Sequence, residues 1–260
     1  KNVIAKTDYH LHIFGINSSA RSFLMTDGDQ RWADLLDPSR LEGVIVIPRE
    51  ADPAQVEYLA SLLPVVWMDL PAVHGELAGV RLDYLGAGFS AGKHLLDLGH
   101  RTIALATLKT GDPAWLDRDS GIRLAIRGAG KEKTCTYKRY NAKSFCEAEG
   151  YRLGNEYLND ASRPTAVICS SDELAVGFYR AVCKAGLTVP KDVSLIGWND
   201  TLTTDDIPIP LTSVHMHYEA AGVRCAEKLL ELLRHPQTTD DVEEIPADLI
   251  VRESTAAPTG

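Results

Sequence analysis

Short apolar runs alternate along this chain with longer segments whose apolar residues recur at helical spacing. The apolar runs predict strands at 10–16, 43–47, 65–68, 103–108, 134–137, 166–169 and 193–197. The helical spacing predicts helices at 53–63, 86–98, 119–129, 144–159, 172–185 and 218–233. A polar stretch at 235–244 predicts a loop, and residues 245–251 predict a final strand. Because apolar strands alternate with helices, we expect an α/β fold whose doubly wound parallel sheets carry helices on both faces.

Residues 170–197 show this alternation as one β-α-β unit. Ser170 and Glu173 have the spacing of a capping box, so Ser170 is predicted to be the N-cap of the helix. Gly186 follows the last apolar turn and favours the left-handed conformation that ends a helix, and Pro190 comes soon after it. The next strand is then expected to begin at Val193.

Composition and charge narrow the possible functions. The chain has 260 residues, of which 45% are hydrophobic and 24% charged, and no apolar run approaches the roughly 18 residues that a membrane span requires. The net charge of −9 repels phosphate, so these residues are not expected to bind DNA by themselves. The five cysteines are never spaced as C-x-x-C, which predicts reduced thiols, mostly in the core, and a cytoplasmic location. No cofactor, metal or membrane contact is expected.

Polar and aromatic residues follow the predicted strands, at the edge where open parallel sheets bind ligands. The candidates are Asp69, Trp115, Arg118, Ser171, Trp198 and Asn199. This mixture suits a polar, uncharged ligand such as a sugar, whose apolar ring faces stack on aromatic side chains. Helix capping explains Ser170 and Asp172 without a ligand. Capping does not require the guanidinium of Arg118, for which the alternative is a surface ion pair with Asp117 or Asp119.

Two motifs in the chain resemble catalytic or metal sites without fitting them. Residues 88–92 match the G-x-S-x-G of α/β-hydrolases, but that motif needs a strand running straight into the serine. Ser90 instead falls inside a predicted helix, and close helix packing explains the neighbouring glycines better than a dinucleotide site does. The histidine pairs at 10 and 12 and at 215 and 217 have no third ligand nearby, so we interpret them as strand histidines.

Several segments, taken in order, resemble the LacI/GalR family of bacterial transcriptional regulators. The resemblance covers residues 41–255 and rests on Val80-Arg81-Leu82-Asp83, His94-Leu95-Leu96, Leu98-Gly99-His100-Arg101, Asp117-Arg118-Asp119-Ser120-Gly121, Ser171-Asp172-Glu173-Leu174-Ala175, Ile196-Gly197-Trp198-Asn199-Asp200, Pro210-Leu211-Thr212-Ser213-Val214 and Arg252-Glu253-Ser254-Thr255. Each motif is weak alone, but their order and spacing together are specific.

The resemblance implies an effector-sensing protein without enzymatic activity. It implies two α/β subdomains of the periplasmic-binding-protein type I fold, joined by three crossovers, with a ligand cleft between the domains. The expected N-terminal subdomain comprises 1–108 plus 213–236, and the C-terminal subdomain comprises 109–212 plus 237–260. The resemblance further implies a homodimer and a DNA-binding helix-turn-helix headpiece. We expect that headpiece, the first strand and most of the first helix to precede Tyr9, so operator DNA would be bound only through the missing headpiece.

The family's ligand contacts, carried over by motif, are Arg118, Ser171 and Asn199, and Phe145 matches a position where an aromatic ring stacks on the ligand. Three positions depart from the family pattern. Ser171 stands where Asn is common, Asn199 where Asp is common, and Leu70 where Arg often follows Asp69. The effector is therefore expected to be a sugar or sugar-like metabolite of unspecified identity.

Two other functions remain as alternatives. A periplasmic sugar-binding protein of the same fold would deliver its ligand to a transporter, whereas the closing motif at 252–255 and the free cysteines favour the regulator. An α/β-hydrolase would require Ser90 to be presented on a strand-to-helix turn.

Overall fold

The structure is a computed structural model that describes residues 3, 7–10, 41–47, 53–69, 77–109, 113–201, 207–235 and 242–259. The strands are β1 Val44–Val46, β2 Val65–Met68, β3 Gly79–Leu82, β4 Thr102–Leu108, β5 Thr136–Ala142, β6 Ala166–Cys169, β7 Ser194–Trp198, β8 Thr212–His215, β9 Val242–Ile245 and β10 Asp248–Ile250. The helices are α1 Pro53–Ala60, α2 Tyr84–Asp97, α3 Pro113–Gly128, α4 Glu147–Leu158, α5 Asp172–Lys184 and α6 Tyr218–Arg234. The strand predicted at 10–16 lies almost wholly outside the described residues.

The chain divides into two compact units. The first comprises Lys1–Leu82 and His217–Ile245, and the second comprises Asp83–Met216 and Pro246–Gly260. This division differs from the predicted boundary at residue 108 and keeps β4 together with its parallel partners β5 and β6 in the second unit. Residues 213–216 also belong to the second unit, and 237–245 to the first.

The first unit contains a parallel sheet in the order β1-β2-β3-β9. Its core includes Val56, Leu59, Val65 and Trp67. The end of the stretch predicted to be a loop is instead strand β9, which pairs with β3 along four residues. Its polar residues are accommodated because the strand lies at the sheet edge, where Glu244 forms an exposed ion pair with Arg81 at 2.7 Å.

The second unit contains a sheet in the order β10-β8-β7-β6-β4-β5, parallel except for β10. Helices α4 and α5 pack on one face, where Leu153 and Phe178 join Ala104 and Leu195 in one apolar core. Because side chains alternate along a strand, Thr107 and Trp198 point to the opposite face. These parallel sheets, covered by helices, confirm the predicted α/β fold class.

Helices α2 and α3 pack backbone against backbone through glycines. A side chain at Gly88 would collide with the carbonyl oxygen of Arg118, and one at Gly121 would collide with the carbonyl oxygen of Leu85. The glycines of the G-x-S-x-G match therefore serve helix packing, as predicted. Ser90 lies in the middle of α2 and cannot be presented as a nucleophile elbow.

The N-cap of α5 is Ser171 and not the predicted Ser170. The Ser171 hydroxyl accepts a hydrogen bond from the Leu174 amide at 3.2 Å. Ser170 directly follows β6 and continues its bonding to β4, because its amide and its hydroxyl both donate to the Ala106 carbonyl, at 2.9 and 2.8 Å. The capping-box spacing favours Ser170, but the pairing of Ser170 with Ala106 leaves Ser171 as the N-cap.

Asp160 connects the turn after α4 to strand β5. Its Oδ2 accepts from Lys138 Nζ at 2.6 Å and from the Tyr140 hydroxyl at 2.8 Å, and its Oδ1 accepts from the Ser162 amide at 2.9 Å. The Lys138 ammonium holds the pKa of Asp160 well below its usual range.

Asp160→Asn should lower the free energy of unfolding at neutral pH, and the difference from wild type should shrink in acid. A depressed folded-state pKa stabilises the fold above the unfolded-state value of about 3.9, and this stabilisation is lost as the pH falls through the folded-state value. Urea unfolding of both proteins at about pH 7 and about pH 3 measures the difference. A difference that does not change with pH would contradict the assignment.

Candidate functional site

Arg118 on α3 lies at the centre of an aromatic cluster in the second unit. Its side chain is 1% exposed, and Nη1 donates to the Ser170 carbonyl at 2.9 Å. Its Cζ lies 4.0 Å from the ring centroid of Trp115, 4.4 Å from that of Trp198 and 4.8 Å from that of Tyr84. At these distances the ring faces attract the cation.

The alternative of a surface ion pair does not fit Arg118. The arginine is buried, whereas an exposed pair would leave it in contact with water. Asp119 is held elsewhere, because its carboxylate accepts from Arg123 Nε at 2.7 Å and from the Tyr137 hydroxyl at 2.8 Å.

Phe145 extends the aromatic cluster. Its ring centroid lies 4.8 Å from that of Trp115, with the two planes inclined by 52°. Both side chains are partly buried, and Phe145 also packs against the apolar core under α4 and α5. A partly exposed pair of rings of this kind offers apolar faces on which a ligand can stack.

Trp198 and Thr107 carry buried polar atoms on the same face of the sheet. Both side chains are fully buried, and neither Trp198 Nε1 nor Thr107 Oγ1 has a hydrogen-bond partner within the part of the chain that the structure describes. The ring of Trp198 contacts the guanidinium of Arg118. Its buried position makes Trp198 a support for the arginine in this structure.

The loop after β7 places Asn199 in an unusual conformation. Asn199 has φ 98° and Asp200 has φ 56°, in the left-handed region that non-glycine residues rarely adopt. The Asn199 amide donates to the Val214 carbonyl at 2.8 Å. Asp200 accepts from Arg252 Nη1 of the closing motif at 2.6 Å.

Ser171 and Asp172 follow β6, the next strand of the sheet. The Ser171 hydroxyl caps α5, as described above, and its own hydrogen remains available as a donor. Asp172 is fully buried and accepts hydrogen bonds from Ser213 and Thr201. Burial raises the pKa of Asp172 above its usual value. Sequence reasoning treated Asp172 as a cap and missed these tertiary contacts, which depend on β8 and on the loop after β7.

Asp69 belongs to the first unit and lies at the carboxyl end of β2. It has φ 62°, and its amide donates to the Val80 carbonyl of β3 at 2.8 Å. Leu70, where the family pattern differs, lies outside the described residues.

The histidine pairs do not form a metal site in the described part of the chain. His215 ends strand β8 and lies 3.4 Å from Asp200 Oδ2, whereas His217 is the N-cap of α6 with φ 52°. Among the residues that the structure describes, no group of three potential metal ligands is found. His12 lies outside these ranges.

The five cysteines are free thiols in different environments. Cys169 and Cys225 are buried, Cys135 and Cys183 are partly buried, and Cys146 is exposed beside Phe145. The expectation of core positions therefore holds for Cys169 and Cys225, whereas the other three thiols are partly or fully exposed. The Ser144 hydroxyl, 3.2 Å from the thiol sulfur, lowers the pKa of Cys146, whereas burial raises the pKa of Cys225 to about 11.

Known proteins are similar to this chain in both sequence and fold. A family described as periplasmic binding protein-like domain matches residues 93–255. The chain is 30% identical over 223 residues to the HTH-type transcriptional repressor PurR of Mannheimia succiniciproducens, covering 85% of this chain and 66% of that protein. It is 30% identical over 259 residues to the HTH-type transcriptional regulator AglR of Rhizobium meliloti, covering 95% and 68%. The chain thus spans about two thirds of the length of these relatives.

A crystal structure of a LacI family transcriptional regulator from Enterococcus faecium, with bound ribose, has a similar fold. It superposes with a TM-score of 0.77 at 28% identity, and the match covers 89% of this chain and 85% of that one. These relatives are transcriptional regulators and not enzymes, in agreement with the prediction of a non-enzymatic chain. None of the helices in the described ranges is long and apolar enough to cross a lipid bilayer.

Thr107→Val should leave the melting temperature unchanged or raise it. The substitution replaces an unpaired buried hydroxyl with a methyl group of the same shape, which removes a desolvation penalty. Thr212→Val is the matched control, because Thr212 is equally buried in β8 and its hydroxyl accepts from the Arg252 amide at 2.9 Å. The control should lose about 1–3 kcal/mol of unfolding free energy, because its partner amide is left without an acceptor. Equal destabilisation of the two variants in scanning calorimetry would show that the Thr107 hydroxyl is paired.

Cys146 should be alkylated by iodoacetamide faster than the other four cysteines, with a rate profile displaced to lower pH than that of a free cysteine. The reason is that the thiolate is the nucleophile and the Ser144 contact stabilises it. Mass spectrometry of peptides after timed labelling measures each site. Ser144→Ala should move the profile of Cys146 back toward higher pH, and an unmoved profile would rule out the hydroxyl as the cause.

Proposed function

Because this chain belongs to the LacI family of transcriptional regulators, we propose that it senses a small polar effector, a sugar or sugar-like metabolite, at the carboxyl edge of the sheet in the second unit. The observation that carries the proposal is the buried guanidinium of Arg118, surrounded by aromatic rings at that edge. A guanidinium carries five N–H donors in one plane, and its place among aromatic rings at the edge where open parallel sheets bind ligands supports a role in binding a polar ligand.

Arg118 and Asn199 have complementary roles in this proposal. A guanidinium has donors in one plane, so Arg118 would donate to two adjacent hydroxyl groups. An amide side chain both donates and accepts, as a sugar hydroxyl does, so Asn199 would accept from one hydroxyl through Oδ1 and donate to another through Nδ2. The hydrogen of the Ser171 hydroxyl would add one more donor.

The aromatic residues would bind the apolar faces of the effector. Trp115 and Phe145 are partly exposed, and a sugar ring stacks on such side chains through its C–H groups. Trp198 would not stack on the effector but would hold the guanidinium of Arg118 in place through its ring face. Asp69, at the end of β2 in the first unit, stays a prediction from the sequence.

In the whole protein, we propose that effector binding favours one of two conformations with different affinities for operator DNA. A ligand shifts such an equilibrium only by its difference in affinity for the two states. DNA would be bound by a helix-turn-helix segment of a cytoplasmic homodimer, since two-fold dimers are the commonest soluble oligomers. The alternative of a periplasmic transport protein is less well supported, because the relatives described above are named as regulators.

Arg118→Ala should weaken sugar binding about tenfold to a hundredfold, because it leaves hydroxyl groups of the bound sugar unpaired. Isothermal titration calorimetry with D-ribose and a panel of other mono- and disaccharides measures the affinity. Arg123→Ala is the matched control, since Arg123 lies on the same helix with its side chain 55% exposed and paired with Asp119. The control should bind like wild type.

Two results would contradict this proposal in different ways. Equal affinity of wild type and Arg118→Ala would remove Arg118 from the site. A wild-type chain that binds none of the sugars would reject the sugar class of effector.

A further inference from the structure

The loop that presents Asn199 is held through three consecutive backbone amides. The Asn199 amide donates to the Val214 carbonyl at 2.8 Å, and the Asp200 amide donates to Ser213 Oγ at 3.2 Å. The Thr201 amide donates to Asp172 Oδ2 at 2.7 Å. The loop is therefore fixed residue by residue to β8 and to the start of α5.

The loop needs these restraints because its backbone is strained. Asn199 and Asp200 both have positive φ, in a region that side chains with a Cβ atom disfavour. Such conformations persist where the surrounding structure imposes them, and they are common at ligand sites. A loop without its hydrogen bonds would relax toward ordinary φ values and turn the Asn199 side chain away.

Two of the three amide bonds depend on the carboxylate of Asp172. Its Oδ2 accepts from the Thr201 amide directly, and from the Thr201 hydroxyl at 3.3 Å. Its Oδ1 accepts the hydrogen of the Ser213 hydroxyl at 2.7 Å. Because that hydrogen is directed to Asp172, the lone pairs of Ser213 Oγ are oriented to accept from the Asp200 amide.

Helix capping does not account for Asp172. The cap of α5 is supplied by Ser171, whose hydroxyl accepts from the Leu174 amide. The carboxylate of Asp172 points instead toward β7, where a side chain at Gly197 would collide with Oδ1. The acid is fully buried, and both of its oxygens are hydrogen-bonded to the loop or to β8.

We propose that Asp172 is a positioning residue of the effector site: it holds the loop at 199–201 in the conformation that directs Asn199 to the ligand. The effector role of Asn199 rests on the function proposed above. The hold on the loop rests on the hydrogen bonds alone, so the two can be tested separately.

Asp172→Asn is the informative variant. It preserves the shape of the side chain but replaces one acceptor oxygen with an NH₂ donor, which then faces either the Ser213 hydroxyl or the Thr201 amide. Asp160→Asn is the matched control, since Asp160 is another carboxylate of the second unit. It lies in the turn after α4 and accepts bonds from the Ser162 amide and from the hydroxyl of Tyr140 on β5, the far edge strand of the sheet.

Hydrogen exchange detected by mass spectrometry measures the loop without any ligand. The amides of Asp200 and Thr201 should exchange about tenfold faster or more in Asp172→Asn than in wild type, and the Asn199 amide should change less. Asp160→Asn should leave this peptide unchanged. Ser213→Ala removes the bond to the Asp200 amide while keeping that of Thr201, so it should give a smaller effect and serves if Asp172→Asn does not fold.

Calorimetry with D-ribose, or with the tightest sugar of the panel, then measures the consequence at a temperature where every variant is folded. Asp172→Asn should bind about tenfold more weakly than wild type, and Asp160→Asn should bind equally. Unchanged exchange in the loop, or faster exchange with unchanged affinity, would overturn the positioning role. A wild-type chain that binds no sugar would reject the proposed effector class, while the exchange rates would still decide whether Asp172 holds the loop.

Discussion

The close approach of α2 and α3 determines where the buried charge of Arg118 lies. Gly88 and Gly121 allow the two backbones to touch, and any side chain at either position would collide with a carbonyl oxygen of the facing helix. The carbonyl of Arg118 lies at this contact, so its side chain starts from a fixed point beside α2. From there the guanidinium meets Tyr84 of α2 and the Ser170 carbonyl at the end of β6. The rings of Tyr84, Trp115 and Trp198 are arranged around this group.

Enclosing a guanidinium in aromatic rings has an electrostatic consequence. Burial removes water from the charge, and the ring faces and the Ser170 carbonyl contribute to the stabilisation that takes its place. In such surroundings a hydrogen bond to a neutral hydroxyl is stronger than it would be in water, because the local dielectric is low. A neutral, hydroxyl-rich ligand fits this environment without a charge of its own.

The sequence predicts the helices and most strands of the described chain, because their periodicity is local. It does not predict features that depend on which strands become neighbours. The choice between Ser170 and Ser171 as the cap depends on pairing with Ala106, and β9 depends on an edge of β3 that is distant in sequence. Arg118 could be singled out because no local pattern required it. Asp172 fits a local pattern, the N-terminus of a helix. That pattern accounts for an acidic residue by itself, so it gives no sign of the contacts with Thr201 and Ser213.

The closing segment forms hydrogen bonds with residues that lie much earlier in the sequence. The Ser254 hydroxyl donates to the Leu195 carbonyl and accepts from the Thr212 amide at 2.8 Å, and the Ala256 carbonyl contacts the ring of His100 at 2.9 Å. Strand β10 pairs with β8 just before this segment. During synthesis, residues 83–216 therefore leave the ribosome before the strand and tail that complete their sheet. Because domains generally fold as units, the second unit can reach its final structure only after residues 248–256 have also been synthesised.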